Sequence, residues 1–145
     1  MIVSNNYVFA YHNVSNNFSF GLNDIRIKKF ITHINFYNNI KNNTVEICFD
    51  DGYQNNLINA APVLIKYNFS ATCYIVSDSI GSSNTWDLDK GTTQRPLMTK
   101  NEIYEWLNLG MDIGGHTKTH VDLTKISEEK AQKEINDCKL ELEFF

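Results

Sequence analysis

The chain has 145 residues, of which 42% are hydrophobic and 21% charged, and its formal net charge is −4. This length and composition predict one domain that buries a sizeable core. The acidic balance, with Lys and Arg scattered along the chain, argues against general binding to nucleic acid or to anionic membranes.

The sequence predicts neither a secretory signal nor a membrane span. It becomes polar at residues 4–6, and no apolar run approaches the ~18 residues that a spanning helix needs. The three cysteines, Cys48, Cys73 and Cys138, are widely spaced and form no Cys-x-x-Cys pair. We therefore expect buried free thiols and no cysteine zinc site.

The first part of the chain predicts two strands with a helix between them. Residues 7–11 form a short apolar run typical of a buried strand, and apolar residues recur at helical spacing over 27–37. Asn23 or Asp24 can cap the start of this helix. Residues 45–49 predict the second strand.

The middle of the chain predicts a helix, a strand and a long loop. Residues 57–65 are apolar at helical spacing, with Pro62 starting or kinking the helix, and residues 71–76 are rich in β-formers. Residues 77–97 show no periodicity, and loops of this length are often functional. Within the loop, Trp86 is either a platform for a sugar ring or a ring that holds the loop against the domain. We favour the second interpretation.

The last part predicts a helix, a strand and a final helix. Thr99 and Glu102 form a capping box for the third helix, and Gly110 suits its C-terminal end. Residues 111–113 predict the fourth strand, and Ser127 can cap the last helix. Four alternating β/α units predict an α/β fold with a parallel sheet and helices outside it.

Two groups of residues that can bind metals or transfer protons follow the second and fourth predicted strands. Asp50 and Asp51 come directly after one, and His116 and His120 come shortly after the other. Because the carboxyl ends of parallel strands share one edge of the sheet, we expect these side chains to lie together. Two imidazoles and one carboxylate suit Zn, Fe, Co or Ni and leave positions open for water and substrate. The other carboxylate then remains free as a base.

Each group also has a simpler interpretation. An Asp-Asp-Gly sequence is common in solvated turns, and a His-x-x-x-His pair can be a surface pair. If His116 and His120 do converge, either a helix face or a tight turn can bring them together. The placement of both groups at strand ends favours the metal site.

These residues resemble a known family. The sequences FDDG at residues 49–52 and HTKTH at residues 116–120 resemble the first two motifs of the polysaccharide deacetylase family, carbohydrate esterase family four. The sequence YHNV at residues 11–14 resembles the opening of the branch that acts on poly-N-acetylglucosamine and related envelope polymers. The resemblance covers nearly the whole chain, and both motifs occur in the family's order.

The resemblance implies a fold and a chemistry. Residues 1–145 would form the N-terminal part of a polysaccharide deacetylase domain, a partial (β/α) barrel of parallel strands with outer helices. Asp50 would be the general base. The metal ligands would be Asp51, His116 and His120, with zinc as the first choice and cobalt, nickel or iron as alternatives. A water activated by the metal would attack the acetamide carbonyl of an N-acetylated polysaccharide or oligosaccharide, releasing acetate and a free amine.

The sequence also departs from the family pattern. An Arg-x-Pro-Tyr-like third motif and a later Leu-x-His motif, which supply an oxyanion-hole amide and the general acid, do not occur; the pair Arg95-Pro96 lies before the second motif. Two other functions therefore stay open: a non-catalytic metal- or glycan-binding module, and a hydrolase of a small cyclic amide or ureide on the same fold. A half-barrel would also expose a strand edge that a second copy or a partner can cover.

Three further side chains receive weaker assignments. Tyr11 and His12 are expected to line the same edge of the sheet, and His12 is given a supporting or core role without a catalytic step. His33 lies on the first predicted helix, and we expect it on the surface without a partner.

Overall fold

The computed structural model describes residues 6–16, 23–40, 44–86, 88 and 91–145. Within these ranges the strands are β1 (Asn6–Tyr11), β2 (Asn13–Val14), β3 (Asp24–Ile25), β4 (Thr44–Phe49), β5 (Thr72–Ile75) and β6 (Asp112–Gly115). The α-helices are α1 (Ile27–Asn38), α2 (Ala61–Lys66), α3 (Lys100–Asn108) and α4 (Glu128–Leu142). A π-helical turn, Asn56–Ala60, leads directly into α2.

The principal sheet has four parallel strands in the order β1-β4-β5-β6, which confirms the predicted α/β fold with a parallel sheet. The register aligns Tyr11 with Phe49, Phe49 with Cys73, and Ile75 with Gly115. The carboxyl ends of the strands therefore lie along one edge of the sheet. Strand β4 is central, whereas β6 ends the sheet.

The largest buried side chains lie where the helices pack on this sheet. Phe30 and Ile34 of α1, Phe49 of β4 and Trp106 of α3 are fully buried. The rings of Phe49 and Trp106 meet edge to face with centroids 5.9 Å apart. The indole N–H of Trp106 donates to the carbonyl of Asp112 at 2.8 Å. Because each buried side chain of this kind contributes about 1.5–3 kcal/mol, the core fixes the strands that carry the two polar groups.

Local capping signals place two helices as predicted. Thr99 and Glu102 form the capping box at the start of α3, and Gly110 follows its end with φ +81°. The hydroxyl of Ser127 accepts a hydrogen bond from the backbone N–H of Lys130 at the start of α4. These signals are read correctly because the bonds join residues three positions apart in the chain.

The start of α1 differs from the prediction. Arg26 occupies the N-cap position without a side-chain cap, so the proposed capping by Asn23 or Asp24 was wrong. Asp24 lies in β3, which pairs in parallel with β2, and its carboxylate accepts a hydrogen bond from Arg95 at 2.7 Å. That ion pair joins residues 71 positions apart, so no local pattern indicates it.

His33 has a partner, contrary to the prediction. The Tyr11 hydroxyl lies 2.9 Å from Nδ1 of His33 and 2.6 Å from the hydroxyl of Tyr37. Burial, helped by the contact with Tyr37, raises the pKa of Tyr11 well above its usual range, so this phenol stays neutral. These contacts join β1 to α1. The partners are 22 and 26 residues apart in the chain, so the helical spacing of apolar residues does not indicate them.

The described part of the predicted loop, which is residues 77–86, 88 and 91–97, contains more regular structure than its sequence suggests. It begins with a 3-10 turn, Ser77–Ser79, and its end forms an antiparallel bridge between Tyr53 and Leu97. The loop is therefore tied to the segment that follows β4.

The cysteines and the hydropathy of the helices agree with the sequence-based predictions in the described residues. All three cysteines are buried free thiols, as expected. Among the described residues, no helix has both the length and the hydropathy required to cross a membrane.

Candidate metal centre

The turn after β4 places two carboxylates at the carboxyl edge of the sheet. Asp51 has φ +72° and Gly52 has φ +80°, so the chain reverses sharply just after the buried strand. A Cβ added at Gly52 would lie 2.9 Å from Cδ1 of Ile75, and the Gly52 carbonyl accepts a hydrogen bond from the backbone N–H of Met98 at 2.9 Å. Glycine suits this position because of its positive φ, and a Cβ here would also require the Cδ1 end of Ile75 to shift.

The turn after β6 brings the two histidines together. Strand β6 ends at Gly115, two residues later than predicted, so His116 follows it directly and donates its backbone N–H to Ile75 at 2.8 Å. Thr117 and His120 have φ of 62° and 60°. Of the two arrangements left open by the sequence, the structure has the tight turn, with the imidazole centroids 5.2 Å apart.

Asp51, His116 and His120 converge on one point. Oδ1 of Asp51 lies 3.3 Å from Nε2 of His116 and 3.1 Å from Nε2 of His120. One donor atom from each residue lies within 4.8 Å of the other two. The Asp51 oxygen is buried and has no hydrogen bond of good geometry from the described residues. A buried carboxylate oxygen facing two imidazole nitrogens is a donor set that fits a divalent cation.

The electrostatics of the three residues favour an ionised carboxylate. Burial opposes the charge on Asp51, but its contacts with His116 and His120, and the nearby charge of His12, outweigh burial and hold the pKa of Asp51 well below its usual range. The contact with Asp51, opposed by burial, raises the pKa of His116. Asp51 is therefore anionic at neutral pH, as a metal ligand must be.

Asp50 lies outside this group of three. Its backbone N–H donates to the carbonyl of Tyr11 at 2.8 Å, and its Oδ2 lies 3.7 Å from Nε2 of His12. The side chain is partly accessible, with 23% of its surface exposed. The structure thus separates the two adjacent carboxylates, one turned into the histidine pair and one left free, and it brings His12 beside the free one.

Trp86 packs directly on the candidate site. Its ring stacks on His120 with centroids 4.3 Å apart and an angle of 22° between planes. This contact is the one expected of a ring that holds its loop against the domain. Trp86, His116 and His120 also line a cavity of about 970 Å³ that runs along β6 to α4.

Two acidic residues of α4 that sequence reasoning left without a role contact the histidine turn. Glu134 accepts hydrogen bonds from Thr119, and Glu141 pairs with Lys118. Their positions are seven residues apart, which places them on one face of a helix. That spacing is the only sequence signal for this contact.

Comparison with known proteins identifies the family. The chain matches the family model described as polysaccharide deacetylase over residues 37–144. It is 33% identical over 95 residues to YxkH of Bacillus subtilis (strain 168), an alignment that covers 66% of this chain and 30% of YxkH. The chain therefore spans less than a third of the length of the curated relative that it matches.

Solved structures share the fold. The Streptococcus pyogenes deacetylase PplD in complex with acetate has a TM-score of 0.70 at 20% identity, covering 91% of this chain and 65% of PplD. IcaB from Ammonifex degensii has a TM-score of 0.68 at 15% identity, covering 95% of this chain and 68% of IcaB. At these identities the likeness shows the fold, of which this chain forms a part. Because the family match spans both the FDDG turn and the HTKTH turn, the chain belongs to the polysaccharide deacetylase family.

Proposed function

We propose that this chain supplies the metal-binding and proton-accepting half of a metal-dependent N-deacetylase acting on an N-acetylhexosamine-containing polysaccharide. The observation that carries the proposal is the split between the two carboxylates. Asp51 converges with His116 and His120, while Asp50 stays outside the group and accessible. Family membership supports the reaction class, and the acetate bound to PplD is what such a reaction would release.

The proposed metal ligands are Asp51, His116 and His120. Two imidazole nitrogens and a carboxylate oxygen suit zinc first, with cobalt, nickel and iron as alternatives. When bound, the metal would polarise the acetamide carbonyl and lower the pKa of a water molecule. To bind a metal, Nε2 of His116 and Nε2 of His120 must each be deprotonated.

Asp50 is the proposed general base. Its carboxylate would accept the proton of the attacking water, a role that requires a side chain within reach of the cation but not bound to it. His12 lies beside Asp50 and is proposed to orient it, without a proton-transfer step of its own. Asp50 and Asp51 thus take different roles, base and metal ligand, because their side chains point in different directions at the turn before Gly52.

The proposed substrate is an N-acetylated polysaccharide or oligosaccharide. This choice rests on family membership. The cavity beside His116 and His120 has about the volume of a small-ligand site, but neither Asp50 nor Asp51 lines it. Trp86 lines it, although the face stacked on His120 is already occupied. We therefore assign Trp86 first to holding its loop and only second to contact with a sugar ring.

The cavity also borders the free edge of β6, the last strand of the sheet. A second copy of the chain, or another segment of the domain, is proposed to cover this edge, because an uncovered strand offers unpaired hydrogen-bonding groups.

A non-catalytic metal- or glycan-binding module is the second candidate. The convergence of Asp51, His116 and His120 accounts for metal binding whether or not turnover follows. Turnover therefore distinguishes the two candidates where metal binding does not.

The test is acetate release from N-acetylglucosamine oligomers by the zinc-loaded chain. Release should occur in the unsubstituted protein and fall by about 10²–10⁴ in Asp50→Asn, because the base is lost. Zinc content should stay the same in this variant. Zinc binding without acetate release would remove the enzyme interpretation for this chain, and full activity of Asp50→Asn would remove Asp50 as the base.

A further inference from the structure

The turn at residues 116–120 adopts a backbone that its sequence does not favour. Thr117 and His120 both lie in the left-handed region, with φ of 62° and 60°. Neither is glycine, and Thr117 is β-branched, so this conformation is uncommon for both. Such a turn persists only where surrounding groups hold it in place.

Backbone hydrogen bonds from the segment after β5 hold two peptide units of the turn. The N–H of Ser77 donates to the carbonyl of Thr117 at 3.4 Å, and the N–H of Asp78 donates to the carbonyl of Lys118 at 3.0 Å. Both bonds come from the 3-10 turn after β5. They hold the peptide unit between Thr117 and Lys118 and the carbonyl side of the unit between Lys118 and Thr119.

Glu134 of α4 holds the N–H side of this second peptide unit and also binds the Thr119 side chain. One carboxylate oxygen accepts the backbone N–H of Thr119 at 2.9 Å, and the other accepts the Thr119 hydroxyl at 2.9 Å. Thr119 directly precedes His120. The paired hydrogen bonds therefore fix both the position and the rotation of the residue that leads into His120.

Glu141 ties the same helix to the middle of the turn. It pairs with the ammonium group of Lys118, and it accepts a hydrogen bond from the hydroxyl of Ser77 at 2.5 Å. Since Glu134 and Glu141 lie seven residues apart, they reach the turn from one face of α4. The helix, the 3-10 turn and the histidine turn are thereby joined.

The contacts of Glu134 differ from an ion pair within one helix. The Lys133–Asp137 pair joins side chains four residues apart on α4 itself, and pairs of this kind contribute little. Glu134, by contrast, binds a backbone N–H of another element next to His120. Groups that hydrogen-bond directly to a metal ligand affect metal affinity by about 10–100-fold when removed, and for Glu134, which acts one residue away from His120, we expect the lower end of that range.

We propose that Glu134 and Glu141 are positioning residues, with Glu134 the principal one, and that α4 through them holds His116 and His120 in the metal-binding arrangement. This inference rests on the metal site proposed above. Neither glutamate touches the metal or substrate. Their effect is to keep the two imidazoles facing Asp51 before a cation arrives.

The test compares zinc affinity, by calorimetric titration, in the unsubstituted chain and in Glu134→Ala, Glu134→Gln and Glu129→Ala. Glu134→Ala should bind zinc about 10-fold more weakly. Glu134→Gln should recover most of that loss, because an amide can accept from the backbone N–H and donate to the hydroxyl. Glu129→Ala removes the same charge from an exposed position of α4 and should leave affinity unchanged.

A second readout separates positioning from folding and from charge. The visible spectrum of the cobalt-loaded chain reports ligand geometry, and it should change in Glu134→Ala but not in Glu129→Ala. If Glu134→Ala does not fold, Thr119→Val, which removes only the hydroxyl bond, should show a smaller loss of affinity.

The possible failures are distinguishable. Absence of zinc binding by the unsubstituted chain would remove the metal site and the inference with it. Normal zinc binding that is unchanged in Glu134→Ala, or in Thr119→Val where the first does not fold, would overturn the inference alone. Equal losses in Glu134→Gln and Glu134→Ala would overturn it too, because charge and not position would then be responsible.

Discussion

The two turns that form the candidate site are fixed in different ways. The Asp50–Asp51–Gly52 turn ends the central strand β4, and the Asp51 side chain is only 4% exposed. The histidine turn follows β6 at the end of the sheet, and the side chains of His116 and His120 are 35% and 27% exposed. One side of the site is thus built into the core, while the other is held from the surface.

This difference has an energetic consequence. Around Gly52 the constraints are packing against Ile75 and a backbone bond from Met98, so changes there should destabilise the whole domain. Around His120 the constraints include side-chain contacts from α4 and the ring of Trp86, and changes to these side chains should weaken metal binding while the fold persists. The following predictions test each half of that statement.

The largest effect is expected at Asp51. Asp51→Ala should weaken zinc binding at least about 100-fold, the upper end of what even supporting residues contribute to metal affinity. Asp50→Ala is the matched control in the same turn, and it should lose far less affinity, because Asp50 supplies charge near His116 but no ligand atom. Calorimetric titration of both variants measures the difference. A similar loss in both would mean that the turn does not separate the two carboxylates.

A stability comparison between two glycines tests the role of the core. Gly52→Ala should cost roughly 2–6 kcal/mol, from left-handed strain together with overpacking against Ile75. Gly110→Ala has the same positive φ but meets nothing within 4 Å, and it should cost only roughly 1–2 kcal/mol. Urea unfolding of both variants gives the two values. Equal costs would show that packing does not fix the carboxylate turn.

A smaller effect is expected from pH in the metal-free chain. The raised pKa of His116 means that its protonated form stabilises the fold; this contribution is complete below about pH 6.5 and fades as the pH rises through the raised value. The lowered pKa of Asp51 adds stability that is present above about pH 4 and is lost in stronger acid. Stability should therefore be greatest between these limits.

Thermal unfolding across this pH range, with chelator and with zinc, measures the effect. Added zinc should reverse the decline above about pH 6.5, because binding requires a deprotonated His116. His116→Gln should abolish the decline in the chelated protein. An unchanged decline in that variant would assign it to another group.

Much of this architecture was predictable because its signals are local. The alternation of strands and helices, the capping box at Thr99 and the sharp turn at Gly52 all depend on neighbouring residues. The convergence of Asp51 with His120 was also predictable, since parallel strands bring their carboxyl ends to one edge.

The parts that were missed depend on contacts between distant residues. Asp24 pairs with Arg95 instead of capping α1, and His33 finds Tyr11 on a strand that precedes it by 22 residues. Glu134 reaches Thr119 from a helix whose sequence shows only an ordinary acidic face. Such pairings need the tertiary arrangement, which no local pattern specifies.

The most direct test of the central claim is the zinc position in crystals of the chain grown with zinc, located by anomalous diffraction. The account predicts one peak bounded by Oδ1 of Asp51, Nε2 of His116 and Nε2 of His120, at about 2.0–2.2 Å from each, with Asp50 unbound. No peak between these atoms, or a peak with Asp50 in place of Asp51 as ligand, would contradict it.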